Sequence, residues 1–217
     1  SIPGLNLGLN TDEKAAVVLQ NRRLLTQHID IDASQIAYAT QVHKTEVQVV
    51  QQGGIYENTD GLATNRSGLA LAIQVADCAC VFLGDSKNKV IGAAHAGWRG
   101  AVKGILPNTI FEMIQLGAQE DRIQAFVSPC ISLKNFEVGE EVASQFPDKF
   151  VHRTGFAKPH VDLKAFIKHQ LMDTGIEAAH ILVDNHCTIE NENFYSFRRQ
   201  KEKSGRTMGI IKIQQVF

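Results

Sequence analysis

The sequence predicts a single α/β or α+β domain, because helix-forming and strand-forming patterns are mixed along its whole length. Residues 69–83 and 89–96 are runs of apolar residues, which is typical of buried strands. Residues 12–27 and 162–175 instead carry apolar side chains at helical spacing. The 217 residues contain no internal repeat, low-complexity tract or Pro/Gly/Ser-rich linker, so we expect one domain over residues 1–217.

Each element is predicted from its own local pattern. The expected buried face of the first helix comprises Ala15, Val18, Leu19, Arg22 and Leu25. Pro107 interrupts the third helical pattern, and an interior proline costs about 3 kcal/mol, so that helix kinks there or begins afresh with Pro107 in its first turn. Gly175 ends the last helix. In chain order, the predicted elements are helix 12–27, a strand or strand pair over 36–50, strand 69–83, turn 85–88, strand 89–96, helix 100–117, strand 123–129, helices 139–146 and 162–175, and strand 180–185.

Composition narrows the class of partner. The net charge of −1 argues against nucleic acid or an anionic membrane as the main partner. No apolar run reaches the length of a membrane span, and the first residues lack the basic-then-apolar order of a signal peptide. We therefore expect a cytoplasmic protein whose four cysteines, Cys78, Cys80, Cys130 and Cys187, form no disulfide framework.

Two residues with metal-binding side chains face each other in the predicted hairpin. If the turn over 85–88 is tight and centred between Ser86 and Lys87, the register places Cys78 opposite His95, with Cβ atoms about 5 Å apart. A thiol and an imidazole at that separation can share a proton or a metal ion. A slip of one residue would place them on opposite faces. Cys80 points to the same side as Cys78 if the strand is regular, and a break at Asp77-Cys78 would change that.

His43 is the third candidate ligand, because an imidazole on the strand face that it shares with Thr45 and Val47 needs a partner. The residues alone do not show that it meets Cys78 and His95. Two histidines and one cysteine would make a three-ligand zinc site with an open position, which is the catalytic arrangement. Without metal, the same set could act as a thiolate and a general base. The set also suits copper, but the chain has no His-x-His pair of the kind that a multicopper laccase needs.

The segment after His95, Gly-Trp-Arg-Gly, predicts a sharp turn at the start of a helix, where anions bind well. Arg99 is a candidate for holding phosphate there. Trp98 is either a stacking surface for a base or a packed aromatic. Arg198 belongs to a second basic cluster, which is either a binding surface or a solvated loop.

Four stretches together resemble the YfiH family, also described as laccase-domain or polyphenol oxidase proteins and, in one branch, as a peptidoglycan editing factor. They are TQVHKTEV, VADCACVFL with IGAAHAGWRG, SPCISLKNFEVGEEV, and HCTIENENFYSFRR with GRTMG. The resemblance implies a single-domain layered α/β/β/α sandwich with mixed sheets, similar to the catalytic domain of cytotoxic necrotizing factor toxins. It also implies a zinc site made of His43, Cys78 and His95.

Some positions depart from the family pattern. Lys44 stands where glycine is common, and Ser128 where Gly-Pro is usual. The short strand and the arginine that precede the first serine in the family are not part of this sequence. These departures concern the shape of the substrate pocket rather than the metal ligands.

The resemblance implies a purine nucleoside enzyme, which would phosphorolyse adenosine, inosine or methylthioadenosine and deaminate adenosine. His43, Cys78 and His95 would be catalytic, and Trp98, Arg99 and Arg198 would hold the nucleoside and phosphate. One alternative is an amidase that edits nucleotide-linked muramoyl precursors of peptidoglycan. The others are phenol oxidation at copper, which is disfavoured, and a non-enzymatic zinc module. The substrate is expected to be a small molecule, and the oligomeric state stays open.

Overall fold

The computed structural model describes residues 2–214. Its helices are α1 (Ala15–His28), α2 (Trp98–Lys103), α3 (Ile105–Gln115), α4 (Glu140–Ala143), α5 (Leu163–Asp173) and α6 (Phe197–Gln200). Its strands are β1 (Ile36–Thr40), β2 (Val47–Val49), β3 (Gly54–Glu57), β4 (Gly61–Thr64), β5 (Ala70–Val75), β6 (Ala79–Asp85), β7 (Val90–Ala96), β8 (Gln124–Val127), β9 (Val151–His152), β10 (His160–Val161), β11 (Ile181–Val183) and β12 (Thr207–Lys212).

Two mixed sheets stack against each other, and a small third sheet pairs β9 with β10. A four-stranded sheet has the order β12-β5-β1-β3, and a six-stranded sheet has the order β11-β8-β6-β7-β4-β2. One apolar core lies between them and includes Leu62, Leu71 and Ala93. The larger core lies between the six-stranded sheet and helices α3 and α5.

Helix α1 contacts the outer face of the four-stranded sheet, where the Arg22 guanidinium lies 4.6 Å from the centre of the Tyr38 ring. The layer order is therefore the α/β/β/α sandwich that the resemblance implies. The predicted likeness to the toxin domain stays a prediction. Within the described residues, no helix is both long enough and apolar enough to cross a membrane.

Most predicted elements are confirmed, and three of them are divided. Residues 36–50 form the strand pair β1 and β2, joined by a loop. Residues 69–83 are two strands rather than one, because the chain breaks at 76–78 between β5 and β6. Pro107 lies in the first turn of α3, after Gly104 ends α2 with a left-handed φ of 94°. The second alternative for Pro107 is thus confirmed.

The buried face of α1 differs from the predicted one. Val18, Arg22 and Thr26 are buried, whereas Ala15 and Leu19 are exposed. The small four-stranded sheet covers only a narrow stripe of side chains on this helix. The spacing of apolar residues alone predicted a wider buried face.

The register of the β6–β7 hairpin corrects the predicted one. Asp85 pairs with Val90, so the loop has four residues rather than two, and His95 pairs with Cys80. The Asp85 carboxylate accepts hydrogen bonds from the backbone N–H groups of Lys87 (3.1 Å) and Asn88 (3.0 Å), which favours the longer loop. Cys78 is therefore not opposite His95, and the predicted apposition across the ladder is wrong.

Candidate metal centre

Three side chains from separate parts of the chain meet at the ends of the two stacked sheets. One ligand atom each from His43, Cys78 and His95 lies within 4.8 Å of the other two. The two imidazole rings lie edge to face, with their centres 4.7 Å apart. His95 is buried, Cys78 is half-buried and His43 is exposed, so the cluster is open on one side.

His95 is fixed by the fully buried carboxylate of Asp60. The His95 Nδ1–H donates to Asp60 Oδ1 at 2.8 Å, and the His95 backbone N–H donates to the Asp60 carbonyl oxygen at 2.7 Å. Because the ionised carboxylate can only accept, it holds a proton on Nδ1 and leaves Nε2 as the ring nitrogen that a metal would bind. Burial alone would lower the pKa of His95, but the Cys78 thiolate and the Asp60 carboxylate raise it to about 9.

His43 lies in the loop after β1 and not in a strand, so its predicted place on a strand face is wrong. Its φ of 59° is left-handed, which an extended strand cannot accommodate. The loop is held by Asp60, whose carboxylate accepts the backbone N–H groups of Val42 (3.1 Å), His43 (2.9 Å) and Lys44 (2.8 Å). The same carboxylate therefore positions two of the three candidate ligands.

Cys78 reaches the cluster because the strand breaks before it. Asp77 has a left-handed φ of 84°, which ends the extended chain between β5 and β6. The Asp77 carboxylate accepts hydrogen bonds from the Thr188 hydroxyl (2.7 Å) and from the Arg198 backbone N–H (2.6 Å). The Cys78 thiol thus reaches His95 because of this break in the chain, and not because the two residues pair in the hairpin.

Gly97 leaves the space that the cluster occupies. A Cβ at that position would lie 2.8 Å from the Cys78 Sγ and 3.3 Å from the His43 Cδ2. Real Cβ atoms essentially never approach other atoms to less than 3.0 Å. The first glycine of the Gly-Trp-Arg-Gly segment is thus explained by the room needed for these two ligands, in addition to the turn.

The four cysteines are free thiols, but their environments differ. Burial alone would raise the pKa of Cys78, yet the imidazoles of His95 and His43 outweigh it and lower that pKa to about 6. Cys80 lies in the core between the sheets, and burial raises the pKa of its thiol. Burial also raises the pKa of Cys130, to about 12. Cys78 alone among these three therefore favours the thiolate that a metal ion needs.

A cavity of about 640 Å³ opens beside the cluster. Trp98, Arg198 and Phe136 line it together with the three candidate ligands. Arg99 is exposed and lies outside this lining, with its guanidinium 4.3 Å from the centre of the Trp98 ring. The substrate roles of Trp98, Arg99 and Arg198 all stay predictions, and of the three only Trp98 and Arg198 line this cavity.

The donor set suits a metal ion. Two imidazoles and one thiolate are ligands that zinc prefers, and three protein ligands with an open side leave a position for substrate or water. The three ligand atoms lie within 4.8 Å of one another, a spacing at which the group could hold one ion. Within residues 2–214 this is the one group of three or more His, Cys, Asp or Glu side chains with such spacing.

Sequence reasoning missed three residues of this site. They are Asp60, which lies next to a glycine in a segment that looks like an ordinary turn, and the cavity-lining Arg22 and Arg206. The sequence pointed to Asp60 only indirectly, because His43 and His95 both lacked an identified hydrogen-bond partner.

Known proteins resemble the chain over nearly its full length. The family model described as "Multi-copper polyphenol oxidoreductase laccase" matches residues 2–214. A purine nucleoside phosphorylase of Corynebacterium glutamicum is 36% identical over 95% of this chain and 85% of its own length. The adenosine deaminase RL5, from an unknown prokaryotic organism, is 33% identical over 94% of this chain and 85% of its own length.

The fold is shared with solved structures. The crystal structure of Bacillus licheniformis hypothetical protein YfiH superposes with a TM-score of 0.92 at 28% identity. The match covers 97% of this chain and 86% of that protein.

Proposed function

This chain belongs to the multi-copper polyphenol oxidoreductase laccase family, the YfiH family, and from that premise we propose that it is a zinc-dependent purine nucleoside enzyme. Its proposed reactions are the phosphorolysis of adenosine, inosine or methylthioadenosine and the deamination of adenosine. The observation that carries the proposal is the His43–Cys78–His95 cluster, which opens through an exposed histidine onto a cavity of about 640 Å³. The names of the relatives, a phosphorylase and a deaminase, support the substrate class.

The protein's own residues would prepare the centre for this chemistry. Zinc, when bound, supplies a Lewis-acidic positive charge that activates water at neutral pH. Asp60 keeps the proton on His95 Nδ1 and thereby directs the other ring nitrogen to the metal. The Cys78 thiolate contributes one negative charge. The exposed edge of His43 leaves the substrate side open.

The cavity walls suit a purine. Trp98 and Phe136 are aromatic residues of the lining, and base–aromatic stacking contributes about 1–3 kcal/mol per base. Arg198 is anchored through its Nη1, which donates to the Glu137 carbonyl oxygen at 3.0 Å. Its guanidinium lies 5.9 Å from the centre of the Phe136 ring, so a cation and an aromatic face lie side by side in the wall.

The two reactions differ in the atom that attacks. In deamination, a water oxygen bonds to C6 of adenosine and ammonia leaves, which yields inosine. In phosphorolysis, a phosphate oxygen bonds to C1′ of the ribose while the bond from C1′ to N9 breaks. The bonding electron pair stays with the purine, which takes up a proton.

The direct test is incubation of the purified, zinc-loaded protein with adenosine, with and without phosphate. We expect inosine in both samples, and adenine with ribose 1-phosphate only when phosphate is present. Absence of turnover of adenosine, inosine and methylthioadenosine by fully loaded protein would contradict the proposal. Release of serine from a nucleotide-linked muramoyl-serine, without nucleoside turnover, would instead support the amidase.

The metal is tested separately by elemental analysis of variants. We expect His43→Ala, Cys78→Ser and His95→Ala to lose most of the bound zinc. Cys187→Ser is the matched control, because Cys187 is a free cysteine outside the cluster whose Sγ accepts from the Ser132 N–H at 3.4 Å. Full zinc in all three cluster variants would end the metal proposal.

Copper is the second candidate for the metal, since a His2Cys set also binds copper and the family description mentions it. Against a multicopper oxidase stands the single three-residue cluster within the described part of the chain. Anaerobic copper loading followed by an absorption spectrum decides this point. We expect no blue absorption band and no oxidation of phenols.

A further inference from the structure

Three arginines line the cavity without a carboxylate partner. Among residues 2–214, the ion pairs do not include Arg22, Arg198 or Arg206. The acidic residues in the same lining are Glu57 and Asp77, and the Asp77 carboxylate is already engaged by other donors. The cavity therefore carries positive charge that the protein does not neutralise by direct pairing.

Arg22 is buried although it belongs to the predicted apolar face of α1. Its Nε donates to the Leu7 carbonyl oxygen at 2.9 Å, and its guanidinium lies over the Tyr38 ring. No hydrogen bond to another described residue uses its two Nη atoms, and they are not among the fully enclosed atoms that lack a partner. The free edge of this guanidinium is thus accessible to a ligand. Burial lowers the pKa of Arg22, as expected for a cation partly removed from water.

Arg206 lies just before β12, and like Arg22 it is an arginine partly removed from water, with hydrogen-bond donors that no described residue accepts. Its Nη1 donates to the carbonyl oxygens of Ser204 (2.9 Å) and Gly205 (3.0 Å), which leaves Nε and Nη2 without a protein acceptor among the described residues. Burial lowers its pKa, and the negative charges of Cys78 and Asp77 partly oppose this shift. Arg206 lines the same cavity as Cys78, one of the three candidate ligands.

A shared backbone support holds both arginines. The Leu7 N–H donates to the Arg206 carbonyl oxygen at 3.2 Å, while the Leu7 carbonyl oxygen accepts from Arg22. Gly8 makes room for the Arg206 side chain, because a Cβ there would clash with the Arg206 Cγ. The N-terminal segment thus contacts both Arg22 and Arg206, which line the same cavity.

We infer that Arg22 and Arg206 form the subsite that binds a phosphate group during turnover. Guanidinium groups offer paired N–H donors that match phosphate oxygens, and a cation partly removed from water gains most from an anionic ligand. The inference rests on the proposed function and assigns the phosphate site to residues other than Arg99. The phosphate group could come from inorganic phosphate or from a phosphorylated substrate, since both present the same oxygens.

The kinetic test measures phosphorolysis and deamination by the same variant protein and compares their rates. In Arg22→Gln and Arg206→Gln, we expect the KM for phosphate in phosphorolysis to rise roughly tenfold or more, as for the loss of a charge-assisted hydrogen bond. At low phosphate, the ratio of phosphorolysis to deamination should fall by a similar factor, because deamination uses no phosphate. Arg23→Gln is the matched control, since Arg23 is the exposed neighbour of Arg22 on α1. An unchanged phosphate KM in both cavity variants would overturn the inference.

A binding test does not depend on turnover. Inorganic phosphate should raise the unfolding temperature of the zinc-loaded wild-type protein and of Arg23→Gln, and it should raise that of Arg22→Gln much less. A larger shift with adenosine 5′-monophosphate than with phosphate would assign the subsite to a phosphorylated substrate, and the reverse order would assign it to free phosphate. Equal shifts in the wild type and Arg22→Gln would contradict the subsite. Wild-type protein that binds phosphate through Arg22 but turns over no nucleoside would refute the proposed function alone.

Discussion

The Asp60 carboxylate accepts one hydrogen bond from the His95 ring and three from consecutive backbone N–H groups around His43. It carries no direct bond to the thiol of Cys78. Two candidate ligands from different elements therefore depend on one buried side chain. The geometry of the cluster should be more sensitive to Asp60 than to any residue that contacts only one ligand.

Asp60→Asn tests this dependence. The amide keeps the size of the carboxylate but has one accepting oxygen and a donating NH2 group, so it cannot accept all four bonds. We expect zinc affinity to fall roughly 10- to 100-fold, which is typical for loss of a residue that orients a metal ligand. Competition with a chromophoric chelator measures the change, with the exposed Asp12→Asn as control. Equal affinities of Asp60→Asn and the wild type would show that Asp60 has no positioning role.

The reactivity of the cysteines gives a second prediction at this scale. In metal-free protein we expect iodoacetamide to modify Cys78 before Cys80 and Cys130, because Cys78 is half-buried and the other two are fully buried. Zinc should protect Cys78. Mass spectrometry of the labelled peptides measures the order. Labelling of Cys78 at the same rate with and without zinc would mean that its sulfur is not a ligand.

The candidate ligands could be found from the sequence, but their supporting residues could not. His43, Cys78 and His95 stand out because an imidazole or a thiol in an apolar or strand-like pattern needs an explanation. Asp60 does not stand out, since aspartate before glycine is common in turns. Arg206 does not stand out either, because it belongs to the same basic cluster as Arg198, for which the sequence leaves a binding surface and a solvated loop both open. Its role depends on contacts with residues almost a whole chain length away.

At the scale of elements, the β6–β7 hairpin shows why register is hard to predict. The sequence predicted β7 and a turn before it, but it predicted β6 as part of one longer strand over 69–83. The loop length, however, depends on hydrogen bonds of the Asp85 side chain and on a left-handed φ of 54° at Lys89. The predicted register was two residues off, and the even offset left the facing sides of the strands unchanged. Cys78 and His95 therefore meet as predicted, although the predicted pairing across the hairpin was wrong, and their role as metal ligands stays a prediction.

Asp85→Asn tests the contribution of this loop. The Asp85 carboxylate accepts the N–H groups of Lys87, Asn88 and Gln119, which outweigh its desolvation and lower its pKa. We expect the variant to unfold with a free energy about 1–3 kcal/mol lower than the wild type at neutral pH.

The pH dependence of that difference follows from the lowered pKa. A carboxyl group with a lower pKa in the folded state contributes stability above its unfolded pKa of roughly 4, and this contribution disappears as the pH falls through the folded pKa. The gap between the wild type and Asp85→Asn should thus close in acid, as measured by urea unfolding at several pH values. A gap that is independent of pH would contradict the charge-based account.

At the scale of the whole molecule, the cluster joins one strand and two connecting segments that belong to two stacked sheets. His43 follows β1 of the four-stranded sheet, and His95 lies in β7 of the six-stranded sheet. Cys78 lies in the break between β5 and β6, where the chain passes from one sheet to the other. A metal ion at this point would therefore link the two sheets. The layered architecture could be predicted from the resemblance, but this link could not, because it depends on where each strand ends.

Removal of the metal should consequently weaken the whole fold. A ligand that binds only the folded state stabilises it by mass action, and each kcal/mol is worth about 2–4 °C in a domain of this size. We expect a strong chelator to lower the unfolding temperature of the zinc-loaded wild type by several times this interval of about 2–4 °C. The His43→Ala protein should not respond. Equal responses of both proteins would indicate that the chelator acts elsewhere.

The order of the site residues along the chain also has a consequence during synthesis. All three candidate ligands lie in the first half of the sequence, whereas Arg206 and β12, which completes the four-stranded sheet beside β5, come near its end. A growing chain on the ribosome presents the ion-binding residues long before the last wall of the cavity emerges. Metal capture can therefore come first, and a polypeptide truncated ahead of Arg206 would retain the ligands while losing part of the chamber that confines a substrate.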